Sequence, residues 1–422
     1  MLTRGVVPIR PGCGGAELVA YQLARHLAAR HNRVTLVADA TEGARAAAPK
    51  MEFVPIDSAL LERIRHGRAG FWRWILQHLV GNLAATRVAL RLIRKRDYDV
   101  VHCHGNLSAY LVSRLSRVPV VYTEHDATPW QCRYRHWWER LIRRAIYGRL
   151  NGAAFRSVDL VLATFDGLRD EIVSRWRVDP SRVVSISNGV DLETFDRMRR
   201  RARWVQRMGG RSVLPAKQRR HGFERYCLFV GQLTSRKAPD LVLRALVKCE
   251  DVCCVFVGDG PMRLRLERLA EDLGVSERAA FLGQIDSSEL PEIYADADLL
   301  VLPSVSEASP LVVAEAMAWG TPVLATRIAG VPSLVEDWET GFLVTPADVG
   351  ELAIAMRFLM RDDALRTHMA EHALQRVRED LGWSSVAETH VGEYLILIGA
   401  AQQAPEAAPA EGRLPQPEEI PA

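Results

Sequence analysis

Short apolar runs alternate along this chain with longer stretches of helical period. Residues 34–39, 99–102, 120–123, 160–164 and 183–187 read as short buried strands. Residues 228–230, 253–257, 280–282, 299–302 and 323–326 repeat the scheme in the second half. Helical stretches such as 17–30 and 108–115 separate most of them. Regular strand–helix alternation predicts an α/β protein with parallel, doubly wound sheets. Ligands of such sheets sit beyond the carboxyl ends of the strands. At 422 residues the chain is longer than one core usually serves, so two domains are expected.

The block from Leu299 to Thr345 carries the most chemistry. Its strand 299–302 leads into a small polar loop holding Glu307, then a helix, Gly320, Pro322 and the strand 323–326. Ser309 is the expected N-cap, with Pro310 at the first helical position, where a missing N–H loses nothing. Gly320 is the expected residue just past the helix, and Pro322 prevents continuation. The N–H groups of Leu311 and Val312 then open from a helix start at the end of a strand, which is an anion-binding geometry. Glu307 and Glu315 flank that start with seven residues between them. A phosphate site bordered by carboxylates that accept from hydroxyls suits a nucleotide-sugar.

These residues resemble the C-terminal signature of the GT-B glycosyltransferases, specifically the retaining family 4. Glu307, Glu315-Ala316-Met317-Ala318, Gly320, Pro322 and Val323 match its pattern in place. Further segments resemble the family in its own order: Gly14-Gly15-Ala16-Glu17, Thr123-Glu124-His125-Asp126, Asn188-Gly189-Val190-Asp191, Phe229-Val230-Gly231 through Lys237, and Val257 to Pro261. The resemblance covers residues 2–196 and 223–396. Three departures stand out. Gln232 replaces the usual arginine after the glycine, Ala308-Ser309-Pro310 replaces Gly-Phe-Gly, and the first strand is short, so the recorded start is expected to lie downstream of the true one.

The resemblance implies the GT-B architecture, two doubly wound Rossmann-like domains facing across a cleft. Residues 1–196 would form the acceptor domain, 197–222 a basic linker or insert, and 223–382 the donor domain. Residues 383–399 would form a helix crossing back to the first domain, and 400–422 a disordered tail. By resemblance, Glu315 accepts from the two ribose hydroxyls of the donor and Glu307 from hydroxyls of its sugar. Lys237, with Arg236 beside it and Gln232 as a neutral donor, would neutralise the departing diphosphate, where negative charge builds. Gly14 and Gly15 would let the backbone approach the donor closely, together with Ser309, Leu311 and Val312. His125 would contact the sugar near the reacting carbon. The implied catalytic residues are therefore His125 and Glu307, with no cofactor and no metal. The expected activity is sugar transfer from a nucleoside-diphosphate-sugar to an acceptor hydroxyl. Two rival readings are a sugar-nucleotide epimerase of the same fold, whose extra acid and base groups are not identifiable here, and a non-catalytic nucleotide-sugar-binding subunit.

Each of these residues also has an ordinary reading. Glu315 alone would be a solvated helix glutamate and Gly14-Gly15 an ordinary turn. His125 could be a histidine packed at a strand end. His102, Cys103 and His104 look like metal ligands, but strand alternation sends the two histidines to one face and the cysteine to the other.

Composition adds a compartment and a partner. No apolar run reaches eighteen residues and no signal peptide opens the chain, so a cytoplasmic location is expected. The seven cysteines are odd in number and mostly embedded in strands, as expected of reduced, buried thiols. The net charge of +4 conceals a split: residues 1–222 hold 39 Lys and Arg against 19 Asp and Glu, the remainder 16 against 32. The basic half would face something anionic. Two helical stretches, 71–96 and 130–150, interleave Trp and aliphatic residues with Arg, the composition of an interfacial helix on an anionic membrane. The expected acceptor is a glycan or glycolipid in surface polysaccharide or glycolipid synthesis. Nucleic acid is not an expected partner, because no recognition motif accompanies the charge.

Overall fold

The computed structural model describes residues 1, 15–38, 41–56, 64, 71–125, 137–192, 195, 225–286 and 289–403, without the side chains of 71–74, 137–140, 142–144, 146–147 and 401–403. Gly14, Asp126, Cys13, Cys132, the segment 197–222 and most of the predicted tail lie outside the described residues. So do residues 130–136 of the second basic helix and the residues that follow Met1.

The first half runs α1 (Gly15–Ala29), β1 (Thr35–Val37), α2 (Glu42–Ala46), β2 (Glu52–Val54), α3 (Phe71–Ile93), β3 (Val101–Cys103), α4 (Asn106–Leu115), β4 (Val120–Glu124), α5 (Trp137–Ser157), β5 (Leu160–Ala163), α6 (Asp166–Trp176) and β6 (Val183–Ser185). The second runs β7 (Cys227–Val230), α7 (Pro239–Leu246), β8 (Cys254–Val257), α8 (Arg263–Asp272), β9 (Ala279–Gly283), α9 (Leu290–Asp296), β10 (Leu299–Leu302), α10 (Leu311–Trp319), β11 (Val323–Thr326), α11 (Val331–Leu334), β12 (Phe342–Val344), α12 (Val349–Arg361), α13 (Asp363–Asp380) and α14 (Trp383–Gln403).

Every strand pairing among the described residues is parallel. In the first half β1 pairs with β2, and β3 to β6 follow in order; the backbone of Met1 bonds to Thr35 and Val37 of β1 at 2.8 and 2.9 Å. The second sheet has the order β12-β11-β10-β7-β8-β9. Its chain leaves β7 in one direction for β8 and β9, then returns to the other side of β7 as β10. The gap between β7 and β10 is therefore the topological switch point, where a doubly wound sheet binds its ligand.

Burial on both faces explains why these strands read as continuous apolar runs. Leu228, Val255 and Leu300 pack in one cluster, while Cys227, Phe229, Phe256 and Val301 pack in the cluster on the opposite face. Each such side chain removed from water stabilises the fold by about 1.5–3 kcal/mol. The five described cysteines are all free and buried, as expected.

All ten predicted strands are present. β10 and β11 have the predicted bounds, whereas β2 and β12, three residues each, were not expected. The helix cap needs correction: α10 begins at Leu311 with Pro310 as N-cap, one residue after the expected Ser309. Pro310 has extended backbone angles and no capping side chain, so the proline ends the loop instead of opening the helix. At the other end Gly320 is left-handed at φ 74°, and its N–H bonds to Met317 O while that of Thr321 bonds to Ala316 O. Both bonds satisfy carbonyls that the helix end would otherwise leave orphaned.

Helix α14 returns to the first half. Its Trp383, Val386, Ala387 and Tyr394 pack with Val19, Leu23 and Leu27 of α1 and Leu160 and Leu162 of β5. The Asn188–Asp191 turn meets the start of α14, with Val190 N bonded to Leu381 O at 2.7 Å and Trp383 N to Val190 O at 3.1 Å.

Candidate active site

The loops at the carboxyl ends of β7 and β10 meet at the switch point. Val305 N donates to Arg236 O at 2.9 Å, which ties the two loops together. The segment after β8 supports them from behind: Leu233 N bonds to Asp259 O at 3.0 Å and Met262 N to Leu233 O at 3.1 Å. The backbones pack too closely for a side chain here. A Cβ on Gly258, whose φ is +129°, would lie 2.1 Å from Gly231 O.

Across this junction Lys237 Nζ lies 2.6 Å from Glu307 Oε1, with side-chain exposures of 12% and 5%. Ser304 Oγ donates to the same carboxylate oxygen at 2.7 Å, and Thr326 Oγ1 donates to Ser304 O at 2.5 Å. The carboxylate is thus held from below by a hydroxyl and from the side by an ammonium. An ammonium has three N–H donors, so one bond to Glu307 leaves two for an incoming anion. Ser306 Oγ, in the same loop, is buried with no hydrogen-bond partner among the described residues. A buried hydroxyl without a partner is uncommon in a native fold and fits a ligand contact.

Glu315 projects from the second turn of α10. Tyr294 of α9 donates its hydroxyl to Glu315 Oε2 at 2.9 Å, and Thr321 Oγ1 fixes the Tyr294 carbonyl at 2.6 Å. Burial raises the pKa of Glu315, while the Tyr294 hydroxyl and the charge of Lys237 pull it back. Lys237 therefore acts on both glutamates. With Oε2 engaged by Tyr294, Oε1 is the oxygen left for hydroxyls of a ligand.

The other predicted residues distribute around this pair. Gln232 and Arg236 are exposed on the β7 loop, and Leu311 and Val312 are half-buried at the start of α10. Ser309 accepts a 3.4 Å bond from Asn188 Nδ2 through its carbonyl, so its contribution here is backbone. Gly15 is exposed in the first turn of α1.

His125 joins a different group. Its Nε2 lies 2.7 Å from His104 Nδ1, and His104 stacks on His102 with ring centroids 4.5 Å apart. His102 is held between Thr123 Oγ1 and Tyr394 OH, each at 2.6 Å, and stacks on His390 of α14. Burial holds His102 far below the ordinary imidazole range, with the neighbouring histidines adding to it, and burial lowers His390 to about 4. Both rings are therefore neutral at physiological pH. The alternation expected of this strand is present, since Cys103 packs in the opposite cluster.

Sequence reasoning missed Tyr294, Ser304 and Ser306, and the support that His104 gives His125. Ser304 and Ser306 carried a local signal, because they sit between the strand end and Glu307. Tyr294 carried none: it looks like any aromatic residue in an amphipathic helix.

Comparison with known proteins agrees with this geometry. Residues 211–376 match the family described as glycosyl transferases group 1, and residues 13–194 match glycosyltransferase family 4. A D-inositol 3-phosphate glycosyltransferase of Mycobacterium bovis is 30% identical over 410 residues, covering 92% of this chain and 79% of that protein. Among solved structures, sucrose-phosphate synthase of Thermosynechococcus elongatus superposes with a TM-score of 0.73 at 22% identity, over 92% of this chain and 94% of that one. Anabaena HepE, solved in complex with UDP-glucose, gives 0.65 at 20% identity over 92% and 98%.

Proposed function

The chain belongs to the group 1 glycosyltransferases, and from that premise we propose that it is a retaining enzyme using a nucleoside-diphosphate-sugar donor. The observation that carries this reading is the buried Lys237–Glu307 pair at the switch point, with Glu315 on the second turn of α10. Lys237 and Arg236 would meet the diphosphate, Glu315 Oε1 the ribose hydroxyls, and Glu307 the sugar hydroxyls. The N–H groups of Leu311 and Val312 would add the positive end of α10, and Gly15 and His125 would approach from the first half. In this reading side-chain cations meet the charge of the diphosphate, and no catalytic metal is invoked.

In this reading the bond from the anomeric carbon to the phosphate oxygen breaks, and a bond to the acceptor oxygen forms on the same face. The acceptor proton passes to the departing phosphate oxygen. Lys237 stabilises the charge that develops on the leaving diphosphate, and closure over the cleft would limit hydrolysis. The HepE complex makes UDP the first nucleotide to try.

For the acceptor we favour a glycolipid or glycan at an anionic membrane surface. No helix among the described residues is long and apolar enough to cross a membrane. However, α3 exposes Leu76, Leu79 and Leu83 along one face, and it ends beside Arg94, Lys95 and Arg96. That is the make-up of a helix lying in the interface. A small phosphorylated acceptor is the second reading, favoured by the names of the Mycobacterium and Thermosynechococcus relatives.

The test is thermal stability against UDP, GDP, ADP, dTDP and CMP, with Glu315→Ala as control. Saturation at a hundred times the dissociation constant should add about 2.7 kcal/mol to the folded state. A shift with one diphosphate that the variant lacks supports the site; none with any of them refutes it. Sedimentation with anionic vesicles at low salt tests the surface, and equal recovery of wild type and Leu79→Glu in the supernatant would remove the membrane.

A further inference from the structure

We propose that Glu339, His368 and His372 form a surface site for a divalent transition-metal ion, independent of the sugar-transfer reading. His368 and His372 are four residues apart on α13 and so lie on one face of the helix. Their rings have centroids 4.0 Å apart. Glu339 comes from the turn between α11 and β12 and meets both: its Oε2 is 3.4 Å from His368 Nε2 and 3.1 Å from His372 Nδ1. One ligand atom from each residue lies within 4.8 Å of the others.

These spacings fit coordination. A tetrahedral zinc ion with arms of 2.0–2.1 Å has ligand atoms about 3.3 Å apart along each edge. Two edges already stand near that value, so closing the site takes only side-chain rotation. Two imidazoles and one carboxylate suit Zn²⁺, Cu²⁺ or Ni²⁺ and are a poor set for Mg²⁺ or Ca²⁺.

The frame holding these ligands is fixed. Arg376 of α13 bonds to Glu336 and to Ser333 O, Thr340 N bonds to Glu336 O at 2.9 Å, and Trp338 N bonds to Gly341 O at 2.8 Å. The turn therefore holds Glu339 over the helix face without help from a metal. The hollow beside it is lined by Glu336, Glu339, His372, Arg376, Glu379 and Asp380, four carboxylates against one guanidinium. Its local field draws a cation. Neither α13 nor this turn carries a residue of the donor site, so the ion would clip the turn to the helix instead of taking part in transfer.

Isothermal titration of the full chain, its affinity tag removed, with Zn²⁺ tests this, with Co²⁺ absorption as a readout of tetrahedral coordination. The wild type should bind one equivalent that the His368→Ala/His372→Ala variant lacks. Glu339→Gln should weaken binding by at least the roughly 10–100-fold typical of an outer-shell change. All three side chains are roughly half exposed, so the metal-free variants should melt with the wild type. Equal binding by wild type and the double variant, including none by either, overturns the site. So does undiminished affinity in Glu339→Gln, because the histidines and carboxylate would then be an ordinary hydrogen-bonded cluster.

Discussion

Replacing Lys237 by methionine tests the core of the candidate site, because it removes a charge and keeps most of the volume. Glu307 is 5% exposed and Lys237 12%, so solvent can do little to compensate. Breaking a buried pair from one side costs about 3–5 kcal/mol, mainly because the remaining charge is stranded. Here Ser304 still donates to Glu307, which places the expected loss near the lower figure. A domain of this size loses about 2–4 °C of melting temperature per kcal/mol, so the shift should be roughly 6–12 °C. Adding Glu307→Gln to Lys237→Met removes the stranded charge and should recover at least half of that loss. Differential scanning fluorimetry of the four chains of this double-mutant cycle, without nucleotide, reads the coupling directly. Two results would refute the reasoning: a Lys237→Met chain that melts with the wild type, or a double variant no more stable than Lys237→Met alone. Either would mean that the pair is not a desolvated charge pair.

Three further outcomes follow. Gly330→Ala should prevent soluble expression or cost more than about 4 kcal/mol in chemical denaturation, because its Cβ would lie 1.9 Å from Ala308 O in the Glu307 loop. Tyr294→Phe should fold, yet show a weaker nucleotide-induced shift than wild type, since Glu315 loses the hydroxyl that orients it. His390, lowered to about 4, binds fewer protons folded than unfolded, so its stabilisation is complete above pH 6.5 and is lost as pH falls through 4. Between pH 7 and 5 that one group should cost about 2 kcal/mol, with His102 adding in the same direction, and a His390→Leu chain should show a flatter urea-denaturation profile over that range.

Local pattern was enough for much of this molecule. Strands β10 and β11 were legible to the residue because both are continuous apolar runs bounded by proline, glycine and polar residues. Gly320 was legible as a helix end because few other residues adopt φ 74° without strain. Alternation along β3 placed His102 and His104 opposite Cys103, since the pleat repeats every two residues. The family pattern located Glu307, Glu315 and Lys237 as one group. By contrast, β2 and β12 were not expected: β2 has no fully buried position, and β12 has two buried residues in a three-residue strand, too short for a period to show. The cap moved from Ser309 to Pro310 because loop geometry, not side-chain propensity, set the helix start.

What only the tertiary structure decided is who meets whom. The order β12-β11-β10-β7-β8-β9 sets β7 beside β10 and so brings Lys237 to Glu307 across seventy residues of chain. Tyr394 reaches His102 from 292 residues away because α14 folds back on the first half. Periodicity and capping are properties of neighbours along the backbone, so the sequence carries them openly. Ion pairs, stacked rings and a carboxylate set over two histidines depend on elements meeting in space, and no local pattern encodes that meeting.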